Sequence, residues 1–272
     1  MIDQRSISEV GTTIVVLIIV IFFWCASSVN AAGSNLSADN HSGTASARCS
    51  GRAMRLPKAL KASPQETWVW EQVCGGSTAD LNRMGKPLNP ILDSDWSGKK
   101  NRILRHSFLE TILLQDPYRN AVRHCGVRIV GALFEEPIDL SHASLHHPLK
   151  IGASVFKKSV DFSHVKSNHF ISLADSKFYG KLDMHGVKIS DDLELSSSRS
   201  DEAFSACGDK ILKVPNHHPE FTEIDLQGAD ISGSLYLSHA KADRVNLHHI
   251  NVGGSLWVDH MGDLPLISWT LG

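Results

Sequence analysis

Ile138-Asp-Leu140, Leu149-Lys-Ile151, Val160-Asp-Phe162, Ile171-Ser-Leu173, Leu182-Asp-Met184 and Leu193-Glu-Leu195 repeat an apolar-x-apolar triplet every eleven residues, and all twelve flanking positions are apolar. Between them runs a second series, offset by five, with a small or branched residue two before a larger one: Ala143/Leu145, Ser154/Phe156, Val165/Ser167, Ser176/Phe178 and Val187/Ile189. Only Ser167 breaks its larger position. A spacing that alternates five and six residues is too short for a helix-turn-helix unit and too regular for a β-sandwich. It reads as one side of a β-helix at a time, so that four sides make a coil of about 22 residues and successive coils stack about 4.8 Å apart. Alternation along each short strand turns the central x outward, which places Asp139, Asp161, Asp183 and Glu194 on the surface.

Residues 199–222 break the lattice with Cys207, Pro215 and His217-His218 and are expected to form an insertion or one degenerate coil. The lattice resumes at Ile224/Leu226, Ala229/Ile231, Leu235/Leu237, Ala240/Ala242, Val245/Leu247, Ile250/Val252 and Leu256/Val258. One residue is missing between Leu237 and Leu247, which a corner can absorb. The coils therefore occupy 126–198 and 223–272. The end of the chain leaves strand edges uncovered unless Leu264–Leu271 covers them, and an uncovered edge invites a partner or a second copy.

Upstream the period is different. Residues 1–32 hold the apolar run Ile14-Val-Val-Leu-Ile-Ile-Val-Ile-Phe-Phe-Trp-Cys25, shorter than the roughly 20 residues of a spanning helix. Val29-Asn-Ala31 fits the small-residue rule for signal cleavage, which predicts an exported chain of the periplasm or cell envelope. Asp3 and Glu9 against the single Arg5 keep open the alternative, an inner-membrane anchor over residues 12–26, and membrane contact is expected only through this segment. Residues 33–61, rich in Gly, Ser, Asn and Ala without a period, read as a flexible linker. Residues 62–125 read as a helical cap. Ser63-Pro64-Gln65-Glu66 is a capping-box start for a helix to about Val73, and apolar spacing predicts a second helix from Asn101 to Leu114, ending before Asp116-Pro117. Outside the leader lie Cys49, Cys74, Cys125 and Cys207, for which three full pairings exist. A Cys74–Cys125 bridge, with both residues at the edges of the cap, stands against four unpaired thiols.

Ala229-Asp-Ile-Ser-Gly233, Ala143-Ser-Leu-His-His147 and Ala132-Leu-Phe-Glu-Glu136 resemble the pentapeptide-repeat family, whose unit is a small, a polar and a large apolar residue followed by two corner residues. The resemblance spans about half the chain and departs from the family by an extra residue in every second unit. Together with the segment Trp96…Phe108-Leu109 ahead of Gly126-Val-Arg-Ile129, it also resembles uncharacterised bacterial exported or membrane-associated repeat proteins. It implies a right-handed parallel quadrilateral β-helix, mainly β, and implies no activity. The DNA-mimicking members of the family are cytoplasmic and acidic, unlike a chain with a leader and a formal charge of -2. That near-neutral balance also argues against a nucleic-acid partner. A strict six-residue period, as in hexapeptide acyltransferases, is absent.

Three constellations carry chemistry. His142, His164, His239, His249 and His260 occupy one kind of corner position, and His142 and His164, 22 residues apart, should stack about 5 Å apart and could share a metal. The bland reading is that corners favour polar residues, with pH-dependent surface charge between the two. Asp191-Asp192 with Glu194 offers outward carboxylates for acid/base work on a polysaccharide, or a solvated corner. Arg102, Arg105, Arg119 and Arg123 read as a basic patch or as solvated helix faces. No nucleotide loop, catalytic triad or zinc-hydrolase motif is present, and no cofactor is expected. Stacked coils make a rigid surface. The expected function is non-enzymatic binding or scaffolding in the bacterial envelope, with a protein partner or self-association through the coil end. A carbohydrate-active enzyme and metal binding at the histidine corner are the alternatives.

Overall fold

The computed structural model describes residues 55–85, 88–95, 98–197, 218–259 and 266–268. The apolar run behind the expected signal or anchor lies outside the described residues, as do most of the linker and of the 199–222 segment. Among the described residues no helix is long and apolar enough to cross a membrane.

The eleven-residue lattice folds into a four-sided parallel β-helix, because each triplet pairs with the triplet one coil away. Along the first side run Val127–Val130, Leu149–Gly152, Ile171–Ser172, Leu193–Glu194, Leu235–Tyr236 and Leu256–Trp257. The second side begins with Leu133–Phe134 and Val155–Phe156, the third with Ile138–Asp139 and Val160–Asp161. The fourth side holds Ser144–Leu145, Lys166–Ser167, Lys188–Ile189, Asp230–Ile231 and Asn251–Val252. All the pairings are parallel, and Leu149 faces Ile171 at the expected 22-residue step.

From the third coil onward the second and third sides fuse. Lys177–Asp183, Glu220–Asp225 and Lys241–Asn246 are single strands that run through both. The register explains this. Phe178 pairs with Phe221, 43 residues on, whereas Leu182 pairs with Ile224, 42 residues on, with the irregularity between Phe178 and Lys181. One corner residue has been lost, so the later strands run straight and the step falls to 21, as in Ile224 with Val245. Gly180 stands at the extra residue, where a Cβ would come within 2.5 Å of the Ser159 nitrogen. Leu193 pairs directly with Leu235 and Lys188 with Asp230, so the coils on either side of residues 198–217 are immediate neighbours.

The corners account for the polar residues between the triplets. On leaving the third side, Asp139, Asp161, Asp183, Asp225 and Asn246 each accept through Oδ1 the amide hydrogen of the residue two on, at 3.0, 2.8, 3.1, 3.1 and 3.1 Å. Such side-chain turns compete well with regular structure and start a corner. The residue after that amide is left-handed: His142, His164, Gly186, Gly228 and His249 have φ between 56° and 66°. The diagonally opposite corner repeats the left-handed position at Gly131, Ala153, Asp175 and His239. The expected single histidine corner is thus corrected. His142, His164 and His249 share one corner and His239 sits at the other, because an eleven-residue half-coil makes opposite corners look alike in sequence; His260 lies outside the described residues.

Inside, Phe134, Phe156, Phe178 and Phe221 stack at 4.8, 4.3 and 4.8 Å, a continuous column at the coil spacing. Ser167, the misfit of the inward series, is buried and its hydroxyl donates to the His169 carbonyl at 2.7 Å. Ser154 and Ser176 likewise fill small inward positions and accept the amide hydrogens of Ala132 and Ser154 at 3.0 and 3.1 Å. Each of these three hydroxyls is therefore satisfied, which removes the cost of burying it.

Two helices close the first coil: α1 (Pro64–Gly75) and α2 (His106–Leu114), followed by a four-residue α3 (Tyr118–Ala121). Val69, Trp70, Val73, Phe108, Leu109 and Ile112 join the same buried cluster as the coil interior. The helix expected from Asn101 begins only at His106. Leu104 instead donates its amide to Leu133 O at 3.0 Å and Ile103 bridges Leu133, which adds a short rung to the second side. Ala79–Asp80 does the same for the first side, pairing with Ile129 and Val130. Leu88 then covers Leu133 and Val155 from outside. Residues 55–61, expected as the end of a flexible linker, are ordered on the cap, because Leu56 and Leu60 pack against its core. Cys74 and Cys125, the two cysteines among the described residues, are both disulfide-bonded, as a bridge between them requires.

The capping box of α1 has a second task. Glu66 is fully buried, accepts Ser63 N at 2.8 Å, and takes Arg105 N, Nε and Nη2 at 3.0, 2.9 and 2.6 Å. Burial alone would raise its pKa, but the bonds from Arg105 and Ser63 outweigh burial and hold it below 4.5.

Candidate functional site

The first side carries a column unlike the others. Its outward positions are Arg128, Lys150, Ser172, Glu194, Tyr236 and Trp257, each paired with the next across one interstrand step. At the cap end the column is buried although its side chains point away from the coil interior. Arg128 is 2% exposed and donates to Gly76 O at 2.7 Å, Lys150 is 5% exposed and Ser172 is fully buried. Burial lowers the Lys150 pKa to about 8, against the pull of Glu194 and Asp175 and with the repulsion of Arg128. Ser172 donates its hydroxyl to Glu194 Oε2 at 2.7 Å.

Toward the other end the column emerges. Tyr236 and Trp257 lie parallel within 12°, with ring centroids 6.3 Å apart, and Trp257 is 50% exposed. Both line an open groove of about 250 Å3, together with Ser196, Ser197, Ser238, His239 and Asp259. Ser238 donates its hydroxyl to Asp259 Oδ1. His239 stacks on His218 at 5.4 Å. Aromatic rings beside hydroxyl, imidazole and carboxylate groups make an amphipathic surface.

The residues picked out from sequence have other surroundings. His142 and His164 do stack, at 4.8 Å and 19°, and His185 meets His164 edge-on at 5.0 Å. Ring nitrogens present lone pairs in the ring plane, so parallel stacked rings aim them side by side instead of at one point. Among the described residues no group of three or more His, Cys, Asp or Glu is arranged to hold a metal ion. In the acidic cluster, Asp192 Oδ1 accepts Ser234 N at 2.7 Å, Asp191 Oδ1 accepts Asp192 N at 2.9 Å, and Glu194 is held by Ser172. These carboxylates hold corners and neighbouring coils together.

Three of the four arginines of the expected basic patch are engaged in pairs. Arg102 is buried and donates to Asn82 Oδ1 at 2.9 Å and Gly131 O at 3.2 Å, Arg105 serves Glu66, and Arg119 pairs with Asp116 at 2.8 Å. Arg102 ties the cap to the first coil and Arg105 ties the start of α1 to the start of α2, while the Arg119–Asp116 pair is local. Conversely, Lys150, Tyr236 and Trp257 carry the column yet were not singled out from sequence. The available signal was the central x of Leu149/Ile151, Leu235/Leu237 and Leu256/Val258, read down the coils as a column.

Comparison with protein families, curated proteins and solved structures gives no significant match for this chain.

Proposed function

We propose that the protein is a non-enzymatic binding or scaffolding component of a bacterial cell envelope and that the first side is its contact surface. The observation that carries this is the first-side column: six different residue types at equivalent positions, ending in an exposed Trp257 beside a groove. A repeating fold needs repeated residues where a turn or a ladder bond recurs. Variation at one register position is free of that constraint, and exposed aromatics at such a position are typical of contact surfaces. The leader-like segment supports export, and the resemblance to pentapeptide-repeat proteins supports a surface-presenting rod.

Position-specific photo-crosslinking tests the reading. A photoreactive residue replacing Tyr236 is expected to give a discrete adduct in envelope fractions, whereas one replacing Lys188, exposed on the fourth side, is expected to give none. Equal labelling from both positions, or none from either, would overturn it.

A further inference from the structure

The segment Arg55-Leu-Pro-Lys-Ala-Leu-Lys61 places a cation at every third position and is fixed on the cap. Leu56 and Leu60 pack against the buried cluster. Its carbonyls do the rest: Tyr118 donates its hydroxyl to Arg55 O at 3.1 Å, and Arg105 Nη2 donates to Leu60 O and Lys61 O, each at 3.2 Å. Pro57 leads into a single 3-10 turn over Lys58–Leu60, a geometry in which side chains three residues apart lie one above the other. Lys61 ends the turn at φ 47°, and among the described residues it is the only left-handed residue other than glycine outside the coil corners. Such a conformation is uncommon for lysine.

Arg55, Lys58 and Lys61 line one open cavity of about 300 Å3. Among the described residues no side chain bonds any of the three cationic groups, whereas Arg102, Arg105 and Arg119 of the same cap are all engaged. Glu71 is the one acid among the described residues that line the cavity, and the Thr67 hydroxyl there is already given to Ser63 O at 3.0 Å. We infer that this cavity binds a phosphate monoester. Three cations against one carboxylate leave an excess that matches the charge of about −1.5 to −2 on a monoester at neutral pH, whereas a carboxylate or a phosphodiester carries a single charge. A guanidinium bonds two phosphate oxygens at once, and lysines add point charges beside it. An apolar occupant would cover the cations with no counter-charge, at a cost for each. The ester has two sources, a free small molecule or a lipid headgroup. The cavity belongs to the cap, and neither its confirmation nor its loss bears on the first side.

Isothermal titration of the full-length protein with glycerol 3-phosphate, and sedimentation with phosphatidylcholine vesicles with or without phosphatidic acid, test this. Binding of the soluble ester alone identifies a free ligand, and a gain in sedimentation on adding phosphatidic acid identifies a lipid-borne one. Any affinity of the apolar N-terminal run for vesicles is common to both vesicle types, so only the difference between them counts. Lys58→Gln is expected to weaken the response about tenfold, the loss of one charge-assisted hydrogen bond, and Glu71→Gln to strengthen it about threefold by removing a repulsive surface charge. Binding should also weaken below about pH 6, where the ester takes up its second proton. Arg55, Lys58 and Glu71 are exposed and the turn is held through its carbonyls, so melting curves of both variants should match the wild type. If Lys58→Gln melts early, Arg55→Gln replaces it in the same assay. No binding of either probe, binding that the cation variant leaves unchanged, or an equal gain from phosphatidylglycerol, a diester, overturns the inference.

Discussion

The third and first sides of the coil carry outward columns of the same geometry and opposite character. On the third side Asp139, Asp161, Asp183, Asp225 and Asn246 perform one task five times, each accepting the amide two residues on. On the first side Arg128, Lys150, Ser172, Glu194, Tyr236 and Trp257 share no such bond and differ in charge, size and exposure. In a solenoid, then, repetition down a column marks a task every coil shares, and its absence marks positions where each residue meets surroundings of its own, as Arg128 meets Gly76 O and Ser172 meets Glu194. The acidic ladder that stands out in the sequence belongs to the first kind. Its like charges are offset at one point by Lys181, which reaches Asp183 at 2.9 Å and Asp225 at 2.7 Å; these bonds outweigh burial and raise its pKa.

Four substitutions sharpen or break that contrast. The largest effect should lie outside both columns. Glu66→Ala leaves Arg105 and Ser63 N without their buried acceptor and is expected to cost about 3 kcal/mol, the lower end for breaking a buried pair because Arg105 is a third exposed. Since the cap shares its core with the coils, chemical denaturation followed at the far coils should show the loss too. The Glu66 contribution is present above pH 4.5 and disappears as pH falls through the lowered folded-state pKa.

Lys150→Met should act in the opposite direction. A lysine whose pKa falls from 10.5 to about 8 on folding opposes the fold by up to roughly 3 kcal/mol at neutral pH. Between pH 8 and 10.5 the unfolded chain holds a proton that the folded one has lost, so wild-type stability rises with pH there. The variant should be more stable at pH 7 and lack that rise in a denaturation series. A less stable variant with the same slope would mean that Lys150 is part of the scaffold, and would blur the contrast between the sides.

Asp225→Ala removes the acceptor of Gln227 N and of Asn246 Nδ2 and a partner of Lys181, for an expected loss of about 2 kcal/mol. Its pKa is lowered because the bonds from Lys181 and Gln227 outweigh burial, so this contribution exists above pH 3.8 and is lost on acidification. Crosslinking from position 236 should survive the change. Trp257→Ala is expected to shift stability by less than about 0.5 kcal/mol while abolishing contacts at the groove. A large drop in melting temperature in this last variant would assign Trp257 to the fold and leave the first side without a site.

Much of this was legible in the chain, but not evenly. The triplets and their 22-residue step define the sides, and the missing residue between Leu237 and Leu247 is the fused corner between Ala242 and Val245. The histidines were legible as corner residues and misleading as a single cluster, since their recurrence follows a left-handed backbone position that histidine tolerates better than most residues. The arginines of the cap gave no sign of burial. Their partners Asn82, Gly131 and Glu66 lie 20 to 39 residues away.

By itself, the sequence determined the coil: a period of apolar pairs leaves one way to bury them, because strand alternation and a fixed interstrand spacing turn periodicity directly into columns. Only the tertiary structure decided what each column meets. Arg128 lies under Gly76, Leu133 under Leu88, and Trp257 beside an open groove. Whether an outward residue is buried or exposed depends on segments brought over it from elsewhere in the chain, and no local pattern encodes that.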